Sequence, residues 1–143
     1  MIERYLAIQR VRLGERLRVE QRIDPASYEM AVPVLVLQPL VENAIEHGIA
    51  QRLSGGTLRI ESSLTGSQLT LTVSDDGGDG ADAGAGETDW HVGLTNTRER
   101  LRTLYGGRQS FQAVRSEGGV FQVTLSIPAR EASGVATSEA IRG

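Results

Sequence analysis

Cysteine is absent, which excludes disulfides, thiolate metal sites and thiol redox chemistry. Lysine is absent too, and all 15 basic residues are arginine. A Walker-A loop requires Gly-Lys-Ser/Thr, so the chain is no P-loop nucleotidase. Any phosphate it meets must be held by arginine, amides, backbone N–H groups or a metal. Asparagine is scarce, with Asn43 and Asn96 alone, and the two histidines, His47 and His91, lie too far apart to suggest a zinc site. Positive charge is not in excess: the net charge of −3 argues against a nucleic-acid partner. No apolar run approaches the roughly 20 residues of a membrane span, and the N-terminus has no signal-peptide pattern. The expectation is a soluble, cytoplasmic piece without membrane contact of its own, any anchor of a longer parent lying outside it. A chain of 143 residues suffices for one domain with a core that needs no metal or disulfide staple.

What is present reads as mixed helices and strands. Tyr5, Leu6, Ile8, Val11 and Leu13 recur at helical spacing over 3–16. Leu17, Val19, Gln21 and Ile23 alternate with charged residues as a half-buried strand does, and Asp24-Pro25 predicts a capped short helix over 25–30. Val34 to Ile45 is apolar on most sides, predicting a largely buried helix from Pro33 to Ala50, kinked at Pro39. Leu58, Ile60 and Ser62, then Leu69, Leu71, Val73 and Asp75, predict a hairpin turning at Thr65-Gly66-Ser67. Residues 76–91 are glycine, aspartate and alanine with one tryptophan, a composition that packs no core. Gly93 to Tyr105 is predicted helical, with Leu94, Leu101 and Leu104 on one stripe and Gly106-Gly107 ending it. Two closing strands, 109–115 and 120–127, complete a domain over 1–128, and 129–143 is expected as a disordered tail. Hairpins mixed with helices predict an α+β fold: a two-layer α/β sandwich, its sheet mixed but mostly antiparallel, with helices on one face.

Glu42, Asn43, Glu46 and His47 lie on the apolar helix, where unpaired polar groups are costly. Asn43 and His47 share one face. An amide oxygen suits Mg²⁺, which keeps several waters and takes further ligands from phosphates; a satisfied core amide is the alternative. Asp75 closes its strand on the buried side, where a carboxylate needs donors. An adenine amine is one such donor, and a turn cap for Gly77-Gly78 is the other reading. Glycines 77, 78, 80, 84 and 86 let backbone approach a ligand or move as a lid, or form an ordinary linker. A helix opening at Gly93 would offer free N–H groups to phosphate, joined by Asn96 and Arg98. A solvated face is the bland reading of Arg98, Glu99, Arg100 and Arg102.

The order and spacing of these blocks are specific. Leu37–Gly48 (LQPLVENAIEHG) resembles the N-box of the ATP-binding domain of sensor histidine kinases, Val73–Gly80 its G1 box, and Val92–Leu101 with Tyr105-Gly106 its G2 region. The wording LQPLVENAIEHG, GLTNTRERLRTLYG and YLAIQRVRLGERL most resembles the LytS/AlgZ-type kinases, over about residues 3–128. That family shares an ATPase superfamily with gyrase, MutL and the heat-shock chaperones.

The resemblance implies a Bergerat-fold sandwich that binds Mg-ATP beneath a mobile lid. It implies transfer of the γ-phosphoryl group to a histidine on a dimerisation domain, with a response regulator downstream. Residue by residue, it implies Asn43 as the Mg²⁺ ligand and Asp75 as the partner of the adenine amine. Gly77 and Gly80 fall in the G1 turn, Gly93 and Leu94 in the G2 turn, and Asn96 and Arg98 just after it. His47 falls near the phosphates or ribose. Pro39 stands four residues before Asn43, where related ATPases often carry an acid or amide, so Glu42 becomes the candidate acid.

Three departures accompany it. Asp75-Asp76-Gly77-Gly78-Asp79-Gly80 replaces the common Asp-Asn-Gly-x-Gly, and His91 replaces the first G2 glycine. No PHFLFN-like acceptor segment matches. The chain is therefore expected to be an isolated catalytic piece, and a monomer, since dimerisation belongs to upstream helices. Two alternatives remain: a degenerate nucleotide-binding regulatory module without kinase activity, and an anti-sigma-type serine kinase on the same fold.

Overall fold

The computed structural model describes residues 3–27, 31–76, 87–115, 120–130 and 138–140. Helix α1 (Glu3–Leu13) leads into strand β1 (Leu17–Ile23), a short β2 (Ala31–Pro33) and helix α2 (Val34–Glu46). The hairpin of β3 (Gly56–Thr65) and β4 (Gln68–Asp75) follows, then helix α3 (Glu87–Tyr105). Strands β5 (Ser110–Arg115), β6 (Phe121–Pro128) and a short β7 (Ser138–Ala140) complete the order. Five strands form one sheet in the order β1-β3-β4-β6-β5, with β1 parallel to β3 and every other neighbour antiparallel. The mixed, mostly antiparallel α+β sandwich expected from the sequence is the fold observed.

Alternation along the strands builds the two layers. Leu58, Ile60, Leu69, Leu71, Val73, Val123, Leu125 and Ile127 are buried and join Leu6, Leu13, Leu37, Val41, Ile45 and Leu101 from the helices in one core. The other face carries Thr57, Arg59, Glu61, Thr70, Thr72, Gln122 and Thr124, none of them buried. On that face the register partners Glu20 and Arg59 form an ion pair of 2.9 Å. Helices cover one face because only that face is apolar.

Helix α2 runs through Pro39 without a break. Pro39 falls in its second turn, where the missing N–H forfeits one hydrogen bond, to the carbonyl of residue 35, and too little else to end the helix. The helix stops at Glu46, short of the expected Ala50, and a 3₁₀ turn takes up Ile49–Gln51. Asp24 caps as expected, though over a shorter 3₁₀ turn, Pro25–Ser27.

Three expectations are corrected. Helix α1 turns Leu6, Gln9 and Leu13 inward and leaves Ile8 and Val11 exposed, because the 3, 4 spacing of the first set makes the better stripe. Helix α3 begins at Glu87, six residues before Gly93, and buries Leu94, Thr97 and Leu101. Tyr105, three turns after Leu94, continues that stripe, while Leu104 lies to its side at 51% exposure. Finally, part of the expected disordered tail is ordered: β7 pairs antiparallel with β2, Ala31 opposite Ala140 and Pro33 opposite Ser138. An otherwise unpaired short strand offers backbone groups that even a small, polar segment can satisfy.

Candidate functional site

Asp75, the last residue of β4, is held between register partners Leu58 of β3 and Phe121 of β6 and is 5% exposed. Its carboxylate reaches the end of α2, as alternation from Leu69, Leu71 and Val73 requires. There it meets Gly48. A Cβ added to Gly48 would lie 2.8 Å from Asp75 Oδ2 and 2.6 Å from the Ala44 carbonyl oxygen, so no other residue fits without displacement.

Among the described residues, Arg52 is a cation that faces Asp75. Its Nη2 donates to Asp75 Oδ1 at 3.2 Å, its Nη1 to Asp76 Oδ1 at 3.2 Å and its Nε to the Gly48 carbonyl at 3.3 Å. The Arg52 side chain is only 15% exposed, so water screens the Asp75 pair weakly. Arg16 in turn donates from Nη2 to the Arg52 carbonyl at 2.6 Å and the Ala50 carbonyl at 3.2 Å, tying this loop to the end of α1.

Asn43 lies on α2 one turn before His47. It is 9% exposed, and its side-chain amide makes no hydrogen bond among the described residues. Its amide is not among the enclosed polar atoms that lack a partner, so the oxygen is accessible to water or to a hard cation. Among the described residues no three of His, Cys, Asp and Glu gather as a metal cage. A metal here would have one amide from the protein and would bring its own waters and phosphate ligands, as Mg²⁺ characteristically does. His47 is exposed, and its backbone N–H donates to the Asn43 carbonyl at 3.0 Å.

Glu42 is half-buried and accepts from Gln38 Nε2 at 2.9 Å. One turn later, Glu46 pairs with Arg12 of α1 at 2.7 Å. Between these two helices the Tyr5 hydroxyl is buried without a hydrogen-bond partner. Burial first, and then the charges of Glu46 and Glu42, push its phenol up to about 12.

On α3, Leu94 is buried in the core, while Asn96 and Arg98 are exposed. The Arg98 guanidinium lies 5.4 Å from the ring centre of Phe111 on β5, a cation–π contact. Gly93 and Leu94 lie inside the helix, so their N–H groups are engaged in helical hydrogen bonding and the helix N-terminus lies at Glu87. Gly77 and Gly80 fall outside the described residues.

The structure thus brings Asp75, Gly48 and the end of α2 together, with Asn43 on that helix, and leaves Arg98 against β5. Sequence reasoning missed Arg52, which sits in a turn without periodicity, and Thr97, a fully buried polar residue of α3. The spacing of Thr97 from Leu94 and Leu101 was the available signal for the second.

No family model matches this sequence. The chain is 30% identical over 136 residues to the sensor protein LytS of Staphylococcus haemolyticus, covering 89% of this chain and 23% of LytS. Other sensor histidine kinases match over similar spans. The chain therefore spans about a quarter of the length of the curated relatives it matches. Among solved structures, the catalytic domain of histidine kinase ThkA superposes with a TM-score of 0.62 at 17% identity, covering 90% of both chains. Full-length ShkA, solved in complex with AMPPNP, superposes with a TM-score of 0.57 at 16% identity, covering 92% of this chain and 30% of ShkA.

Proposed function

From a chain homologous to the LytS-type sensor histidine kinases and folded as a histidine kinase catalytic domain, we propose a domain that binds ATP with Mg²⁺ and phosphorylates a histidine. The acceptor histidine belongs to a dimerisation domain of the parent kinase, and a response regulator receives the phosphoryl group next. The carrying observation is the buried Asp75 carboxylate, set against Gly48 at the end of the helix that bears Asn43. A buried acceptor of this kind suits the exocyclic amine of adenine.

In this reading Asp75 accepts from the base and Asn43 holds the cation that accompanies the phosphates. Bound there, Mg²⁺ would neutralise charge on the β- and γ-phosphoryl oxygens. In this reading Asn96 and Arg98, exposed on α3, and Gly93 and Leu94 of the same helix serve the phosphate side, with Gly77 and Gly80 following Asp75 in sequence. His47 lies next to Gly48 toward the ribose or phosphates. The acceptor imidazole nitrogen forms a bond to the γ-phosphorus as the bond to the β,γ-bridging oxygen breaks and ADP leaves. Glu42 takes up the proton made acidic on the other ring nitrogen. Positioning supplies most of the rate, since phosphoryl transfer asks little covalent chemistry of the protein.

Calorimetric titration of ATP with and without Mg²⁺, on the unmodified chain, Asp75→Asn and Asn43→Ala, tests this reading. Binding is expected for the unmodified chain, lost with Asp75→Asn and insensitive to Mg²⁺ with Asn43→Ala. Absence of binding at millimolar ATP overturns it. ATP binding without phosphotransfer to an added acceptor domain identifies a regulatory module instead.

A further inference from the structure

We propose that Arg52 is a positioning residue that sets the base selectivity of this site, by holding Asp75 in one orientation as an acceptor-only carboxylate. This rests on the ATP-binding reading above.

The guanidinium uses three donors on three acceptors from two segments of chain: the Gly48 carbonyl past α2, and the side chains of Asp75 and Asp76 at the end of β4. Arg52 is itself anchored along its backbone. Its N–H donates to the Ile49 carbonyl at 3.2 Å, and its carbonyl accepts from the Gly55 N–H at 3.0 Å as well as from Arg16. It therefore cannot leave Asp75 without breaking contacts on every side.

The consequence is chemical. A guanidinium only donates hydrogen bonds, and its fixed fork holds the Asp75 carboxyl in one orientation. Oδ1 already accepts from Arg52, and Oδ2 is backed by Gly48. What Asp75 offers a ligand is lone pairs alone. A purine with an amine at C6 donates to them. A purine with an oxo group at C6 sets acceptor against acceptor. Sites built around such a polar contact reject the analogue that lacks it more strongly than apolar pockets do. Lysine at 52 would keep the charge but lose the planar fork.

The test compares equilibrium binding of ATP and inosine triphosphate to the full chain, in the unmodified protein, Arg52→Gln and Arg52→Lys, with circular dichroism to check folding. The unmodified chain is expected to prefer ATP. Arg52→Gln should weaken ATP binding about tenfold, the scale of one charge-assisted hydrogen bond, and lower the ATP-to-inosine preference by a similar factor. Arg52→Lys should recover part of both. An unchanged preference in a folded Arg52→Gln protein overturns the proposal. Tighter ATP binding also overturns it, since Arg52 would then be competing with the base. If Arg52→Gln does not fold, Arg52→Lys decides: an unaltered preference there is equally fatal. An unmodified chain that binds neither nucleotide removes the ATP-binding reading and this inference together, whereas binding that Arg52→Gln leaves untouched removes the inference alone.

Discussion

Gly48 and Asp75 are in direct contact, the glycine's missing side chain making room for the carboxylate: a Cβ at position 48 would stand 2.8 Å from Oδ2. Gly48→Ala must push Asp75, the Ala44 carbonyl or α2 itself aside, and overpacking of that kind costs about 1–3 kcal/mol. Thermal unfolding should show a lower midpoint, and a titration with ATP should show weaker binding. Equal behaviour in both would mean that Asp75 is free to move, contrary to its clamped geometry.

The orientation of α3 is open to a paired substitution. Leu101 is fully buried and Leu104 is 51% exposed. Leu101→Ala is expected to destabilise by ~2–5 kcal/mol, the usual range for an aliphatic core truncation. Leu104→Ala should stay within about 0.5 kcal/mol of the unmodified chain. Urea unfolding of the two variants measures this, and similar losses would mean that the helix is rotated from the position described.

Asp24 links the end of β1 to β3. Its Oδ2 accepts from the Leu64 N–H and its Oδ1 from the Ala26 N–H, both at 3.0 Å, and these bonds hold its carboxyl below the ordinary 3.8. A depressed folded value means stability that is present above the unfolded value and lost as pH falls through the folded one. Asp24→Ala should therefore lower the melting temperature at neutral pH, and the gap should close as pH drops below 3.8. A gap that persists undiminished in acid would contradict the linkage.

Tyr5 behaves in the opposite sense. Its phenol is raised from 10.0 to about 12, so the unfolded chain ionises first and stability present below pH 10 is lost as pH rises toward 12. Tyr105 is raised too, chiefly by burial. Absorbance titration of tyrosinate should show this late ionisation, and Tyr5→Phe should flatten the alkaline limb of the stability curve. Because the Tyr5 hydroxyl has no hydrogen-bond partner, the same substitution should be neutral or stabilising at pH 7. A marked loss at neutral pH would reveal a partner for that hydroxyl.

Much of the fold was legible because it rests on local periodicity. The alternation of Leu69, Leu71, Val73 and Asp75 determined β4, its inward face and hence the burial of Asp75. The apolar run into Ile45 determined a buried α2, and with it the burial of Asn43. The absence of lysine determined that phosphate, if bound, is met without a P-loop. Less legible were features that local pattern does not encode. Gly93 carries a helix-start signal, yet α3 extends to Glu87, because packing Leu94, Thr97 and Leu101 on the core stabilises turns that glycine alone would weaken. The small, polar stretch around Ser138 gave no strand signal, and its pairing with β2 depends on an edge supplied from far along the chain.

Arg52 marks the boundary between the two kinds of information. One-dimensional pattern shows only an arginine two residues before a Ser-Gly-Gly turn. Its partner lies 23 positions away and is reached because β3 and β4 pair in a register that returns Asp75 beside Leu58. Sequence by itself determined which residue types were available and which faces of helix and strand they occupy, since those follow from periods of 3.6 and 2. Only the tertiary structure decided which charges meet, because an ion pair depends on the distance between atoms, and long-range pairing sets that distance.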